Sequence, residues 1–153
     1  MDDFDRVRPL VEACLLNAER LLNAARDVHK PGQNHIAYHL AALALEEVGK
    51  ASIFTIDAIH DSRVAMGYED KDEKRPVEWI EDHERKLFWA LWLPNFGRRT
   101  MSVEEFRSFQ ELARKIHDLR LATLYVSPEN LGVEVTDLEV KSLIDLTAAR
   151  LEM

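Results

Sequence analysis

Six residues on three stretches of this chain carry side chains from which a polar reaction site could be assembled. Glu47 and Lys50 sit close together, His83 and Lys86 are three apart, and Arg120 is followed five residues later by Tyr125. An imidazole coupled to a carboxylate and ammonium groups can hold a proton-transfer group near neutral pH. A guanidinium that a carboxylate orients presents a planar fork to a phosphate. Placed on a helical wheel, Glu47 falls inside an apolar arc of Leu40, Ala44, Val48, Ala51 and Thr55. A carboxylate facing a core needs a partner, and Lys50 is one turn away. Glu46 falls at the edge of that arc beside Lys50, where the two read as an ordinary surface pair. The sharper assembly has Glu47 orienting Arg120, with Tyr125 nearby. The plainer one is a satisfied polar layer between helices, with Arg120 reaching past apolar surface to water.

Other candidates are weaker. His35 and His39 have the i,i+4 spacing of helical zinc ligands, but no third ligand accompanies them at a convincing spacing. A helix-surface pair is the expected reading, and neither metal nor cofactor is expected. Trp79, Phe88, Trp89 and Trp92 crowd one helix, so some of them should meet another helix or a second subunit. The chain has no Gly-rich phosphate loop, nucleophile elbow or dinucleotide fingerprint.

These residues must be positioned by helices. Phe4, Val7, Val11, Cys14, Ala18, Leu21, Ala25 and Val28 recur at spacings of three and four, ending at Lys30-Pro31-Gly32. A second helix is predicted from an Asn34 cap to about His60, apolar around most of its circumference and so the most buried. Residues 61–75 read as a charged surface loop. Pro76 opens a third helix, which Pro94-Asn95-Phe96-Gly97 closes. Capping boxes at Ser102-x-x-Glu105 and Thr136-x-x-Glu139 start a fourth and a shorter fifth helix. The fourth has a seam of Phe106, Phe109, Ala113, Ile116 and Arg120, and the fifth offers Leu138, Ile144 and Leu151 for packing. The expected fold is an all-α, up-and-down bundle of four long helices plus a short C-terminal one, a single domain over 1–153.

At 153 residues and 46% hydrophobic the chain is long and apolar enough for a core without staples. Its single cysteine excludes an internal disulfide and fits a reducing, cytoplasmic setting. The acidic N-terminus does not read as a secretory signal, and no apolar run reaches the length of a membrane span. A net charge of −8 argues against broad coating of nucleic acid. Only residues 81–120 tip positive, with 8 basic and 7 acidic groups, which leaves room for a small local site.

Several segments together resemble the AbiV family of abortive-infection proteins. They are Asn17-Ala18-Glu19-Arg20-Leu21-Leu22, Ala37-Tyr38-His39-Leu40-Ala41, Ala44-Leu45-Glu46-Glu47-Val48-Gly49-Lys50, His83-x-x-Lys86 and Arg120-x-x-x-Leu124-Tyr125-Val126. The Glu-Glu-Val-Gly-Lys piece is the most specific. The resemblance implies a HEPN-type helical bundle, usually a homodimer, that acts in bacterial defence against phage. Many HEPN proteins are metal-independent ribonucleases whose late helix carries Arg, four to six residues, then His. This chain departs from that pattern, because Leu124, Tyr125, Val126 and Ser127 occupy the window after Arg120 and His117 precedes it. An unperturbed tyrosine, with a pKa of about 10, is a poor base near neutrality, so His83 is the better acid–base candidate. Two readings follow. One is an RNA-cleaving or translation-blocking effector, with RNA as substrate and a phage-encoded activator. The other is a non-catalytic helical module that binds a protein partner.

Overall fold

The computed structural model describes residues 3–67, 75–95, 102–124 and 132–153. Five α-helices lie within them: α1 (Asp3–Val28), α2 (Asn34–Ala65), α3 (His83–Trp92), α4 (Val103–Leu124) and α5 (Asp137–Leu151). The chain is all-α, as the helical spacings require, and no strand occurs among the described residues.

Helix α2 is the hub and packs against each of the other four. Ala37, Ala41, Ala42, Ala44, Leu45 and Val48 are all buried on it, since short alanine side chains let neighbouring helices close in from several sides. One core cluster joins them to Ala18, Leu22 and Ala25 of α1, Leu87 and Leu91 of α3, Ala113 and Ile116 of α4, and Val140 and Leu143 of α5. Arg6 near the start of α1 meets Asp61 near the end of α2, so α1 runs antiparallel to α2, while His83 at the start of α3 meets Glu46 in the middle of α2.

Helix α1 buries Val7, Cys14, Ala18, Leu22 and Ala25 much as its heptad strip predicts, although Phe4 is 42% exposed. Both capping boxes form. Ser102 Oγ accepts from the Glu105 N–H at 3.0 Å while Glu105 accepts from the Ser102 N–H, and Thr136 and Glu139 repeat the exchange. On α5 the buried positions are Val140, Leu143, Ile144 and Thr147; Leu138 is 73% exposed and takes no part in the core.

Three expectations are corrected. Residues 61–65 are the last turn of α2 rather than loop, with a turn at Met66 and Gly67, and 68–74 lie outside the described residues. Asn34 does not cap α2 with its side chain; its amide donates to the Val135 carbonyl at 3.0 Å and ties α2 to the start of α5. Pro76 opens a 3-10 turn, Pro76–Trp79, and α3 starts afresh at His83. The break has two causes. Asp57, buried on α2, accepts from the Val77 N–H at 3.2 Å, and Asp82 caps α3 by accepting from the Arg85 N–H at 3.0 Å.

Asp57 is the centre of a polar knot that the sequence does not advertise. Its carboxylate also pairs with Arg75 at 2.6 Å, and Asp61 pairs with Arg75 and with Arg6. The knot pins the start of the 3-10 turn to α2 and to the beginning of α1. Replacing Asp57 with Ala is expected to destabilise the protein by about 2 kcal/mol, because a buried charged acceptor is lost. Urea unfolding checks this, and an unchanged midpoint would show that the knot is only surface ornament.

Candidate functional site

Glu46 is the carboxylate around which the polar residues gather. It is 3% exposed, although it lies in the middle of a helix and carries a charge. Its Oε2 accepts from His83 Nδ1 at 2.7 Å and lies 3.3 Å from Lys86 Nζ. Its Oε1 lies 3.2 Å from Arg120 Nη1. Lys86 and Arg120 are each 5% exposed. The Arg120 contact is one of charge rather than an aligned hydrogen bond. Glu46 Oε1 and Arg120 Nε both remain without a hydrogen-bond partner among the described residues.

The close approach of α3 that makes this possible depends on Gly49. A methyl group there would come within 2.9 Å of the Lys86 Cα and 2.5 Å of its carbonyl carbon. Without a side chain at 49, the Lys86 backbone rests directly on α2, which brings its ammonium group and His83 within reach of the carboxylate one turn earlier. On α4 the seam residue Arg120 is buried as its spacing predicts.

A second imidazole completes the group. His117 stands one turn before Arg120 on α4, and its Nδ1 accepts from Arg120 Nη2 at 3.3 Å. The rings of His83 and His117 stack, with centroids 5.6 Å apart and planes 16° apart. Hydrogen bonding sets the tautomers. A carboxylate can only accept, so His83 carries its proton on Nδ1 and, when neutral, keeps a lone pair on Nε2. Arginine can only donate, so His117 offers a lone pair on Nδ1 and a proton on Nε2. The His83 side chain is 47% exposed, so the group reaches solvent through its imidazole rim.

His39 also belongs to this neighbourhood. Burial lowers its pKa, and the Arg120 charge lowers it further against the opposing pull of Glu46. It is therefore neutral at pH 7. Its Nδ1, like that of His35, is buried without a hydrogen-bond partner among the described residues. Among the described residues, no three His, Cys, Asp or Glu side chains converge to form a metal site.

The structure reassigns the acidic pair. Glu47 holds Lys50 at 2.5 Å, the partner expected one turn away, on the side of α2 that faces α1, but it does not orient Arg120. The Cys14 thiol donates to Glu47 there, and burial with that carboxylate raises its pKa to about 11, so it remains protonated. Lys50 is pulled down by burial, but Glu47 more than offsets this and raises it. Glu46 does not form the expected surface pair with Lys50. The cause is geometric. Helix α2 is enclosed by neighbours on several sides, so one apolar arc does not reveal which carboxylate faces which helix. Tyr125 lies outside the described residues. His117 and His39 were visible in the sequence, but their role depends on which helices touch.

The sequence model of the AbiV group of HEPN domains matches residues 6–137, a span that includes Glu46, Gly49, His83, Lys86, His117 and Arg120. The chain belongs to the AbiV family. No curated protein and no solved structure matches it. The all-α bundle agrees with a HEPN-like fold, and the family association is with abortive-infection defence. In this AbiV chain the Glu-Glu-Val-Gly-Lys segment has a physical content: its first glutamate is the buried charge, and its glycine admits α3. No helix among the described residues is long and apolar enough to cross a membrane.

The two glutamates should differ sharply on substitution. Glu46→Ala leaves Lys86 and Arg120 buried without a counter-charge and is expected to cost about 3–5 kcal/mol. Glu47→Ala frees a partly exposed lysine and is expected to cost about 1 kcal/mol or less. Urea unfolding of both variants checks the assignment, and equal losses, or a larger loss at Glu47, would contradict it.

Proposed function

We propose that this AbiV chain is an abortive-infection effector that cleaves RNA at the Glu46–Lys86–Arg120 cluster, with His83 as the base. The single observation that carries the reading is the state of Arg120. Its guanidinium is buried, and its Nε has no hydrogen-bond partner among the described residues. With Lys86, it sets two basic side chains against one carboxylate beside an accessible imidazole pair. Such an excess of positive charge in a chain of net charge −8 favours an anionic ligand locally, and a phosphodiester fits the arginine fork.

The chemistry follows from the tautomers. His83 Nε2 takes the proton of an RNA 2′-hydroxyl, and Glu46 stabilises the imidazolium that forms. The 2′-oxygen attacks the adjacent phosphorus, the 5′-oxygen departs, and water returns a proton to it. The products are a 2′,3′-cyclic phosphate and a 5′-hydroxyl. Arg120 and Lys86 stabilise the charge that builds on the phosphoryl oxygens, and His117 Nε2–H donates to one of them. His83 and His117 thus take the place of the histidine that many HEPN proteins carry after the arginine. Glu47 and Lys50 lie outside the reacting group and brace α1 against α2. Tyr125, close to Arg120 in sequence, stays a candidate for substrate contact.

A homodimer is part of the same proposal. Leu10 and Leu16 of α1 are exposed at 46% and 48%, and a second copy is proposed to pack along this helix. A phage-encoded protein is proposed as the activator, acting in the cytoplasm.

The test is incubation of the purified protein with total bacterial RNA. Arg120→Lys keeps the buried charge but loses the fork, and His83→Gln alters only a half-exposed rim residue. Each is expected to lower cleavage at least about a hundredfold while the protein stays folded. Cleavage unchanged in both variants would overturn the assignment.

A further inference from the structure

Beside the polar cluster, α3 and α4 enclose an open cleft of about 550 Å³ with a different character. Trp79, Phe88, Trp89 and Phe106 line it. Trp79 and Trp89 lie parallel, with centroids 6.0 Å apart and planes 2° apart, and the Arg85 guanidinium sits 5.4 Å above the Trp79 ring. Phe88 packs edge-on against both Trp89 and Phe106. The charges on its walls cancel. Arg114 faces Glu84 at 3.8 Å, and Arg85 pairs with Asp82 at 3.3 Å. An aromatic, electrically neutral cleft with an exposed amide, Gln110, at its wall does not suit a phosphate. It suits a flat, uncharged ring with hydrogen-bonding edges.

Its position narrows the occupant. Asp82 and Glu84 flank His83 on α3, and Arg114 lies one turn before His117 on α4. The stacked imidazoles thus neighbour residues that line the cleft, and His117 in turn meets Arg120. We propose that the cleft takes one unstacked nucleobase of single-stranded RNA, adjoining the nucleotide whose phosphate lies at Arg120. This rests on the RNA reading of the polar cluster and adds a requirement to it. The substrate must be single-stranded where it is cut, because a base held in a duplex cannot enter. Recognition by stacking tolerates many sequences, so selectivity falls on unpaired RNA rather than on a fixed motif.

The test uses two fluorescein-labelled RNA hexamers carrying 2′-O-methyl groups, which remove the attacking hydroxyl, one with all bases and one with none. Fluorescence anisotropy is expected to show the wild-type protein binding the intact hexamer at least about tenfold more tightly than the base-free one. Trp89→Leu removes a stacking face. Gln110→Phe fills the cleft from an exposed position and leaves the core alone. Both should abolish the preference for bases and leave base-free binding unchanged, whereas Arg120→Lys should weaken both hexamers alike. A base preference that survives Trp89→Leu and Gln110→Phe overturns the subsite while leaving the Arg120 reading intact. If those variants abolish it but Arg120→Lys has no effect, the cleft stands and the phosphate reading falls. If the wild type binds neither hexamer, both are overturned.

Discussion

The structure depends on how one carboxylate is buried. Removing an ionised glutamate from water costs several kcal/mol even after relaxation, and that cost must be met where the group lies. Glu46 meets it with an imidazole, an ammonium and a guanidinium contributed by two other helices. Burial of the carboxylate therefore requires α3 and α4 to lie where they do. The dependence is mutual, since Lys86 and Arg120 could not be buried without Glu46. The absent side chain at Gly49 makes the arrangement sterically possible, because the backbone of α3 occupies the space a methyl group would fill.

Helix α2 carries such devices at intervals along its length, each directed to a different neighbour. Near its start Asn34 holds the segment leading into α5, in the middle Glu46 gathers α3 and α4, and toward its end Asp57 fixes Arg75 and the 3-10 turn. On the side facing α1, Glu47, Lys50 and Cys14 make a separate polar contact. The apolar residues between supply the non-directional part of the stability, and the polar ones set register. The charged residues of the proposed site thus hold the bundle together as well as bearing on its chemistry, so replacements that keep charge separate the two roles best.

Much of this was legible in the sequence, for reasons tied to period and capping. The α1 strip, the α4 seam ending at Arg120 and both capping boxes depend on spacing within one helix, and the structure reproduces them except at Phe4 and Phe106, which are 42% and 40% exposed. His83 and Lys86 share a polar group with Glu46, and not with Glu47 and Lys50 as expected. What failed was the choice between Glu46 and Glu47. Adjacent residues point about 100° apart on a helix, and α2 has neighbours across that whole sector, so burial alone could not select one. The break before α3 was hidden for a related reason. Pro76 is a sound helix start by itself, and only the side chain of Asp57, distant in sequence, shows that the first turn is held in another direction. His117 gains its meaning only when α3 and α4 are side by side.

Glu46 orients the imidazole that bounds the cluster, and ¹⁵N NMR of the histidine side chains in the folded protein, read beside Glu46→Gln, tests this. Neutral His83 should have its proton on Nδ1 and its lone pair on Nε2, and Glu46→Gln should disturb this tautomer while Glu47→Gln leaves it as it was. A His83 ring protonated on Nε2 in the wild type, or one that responds to Glu47 rather than to Glu46, would show that Glu46 does not orient it.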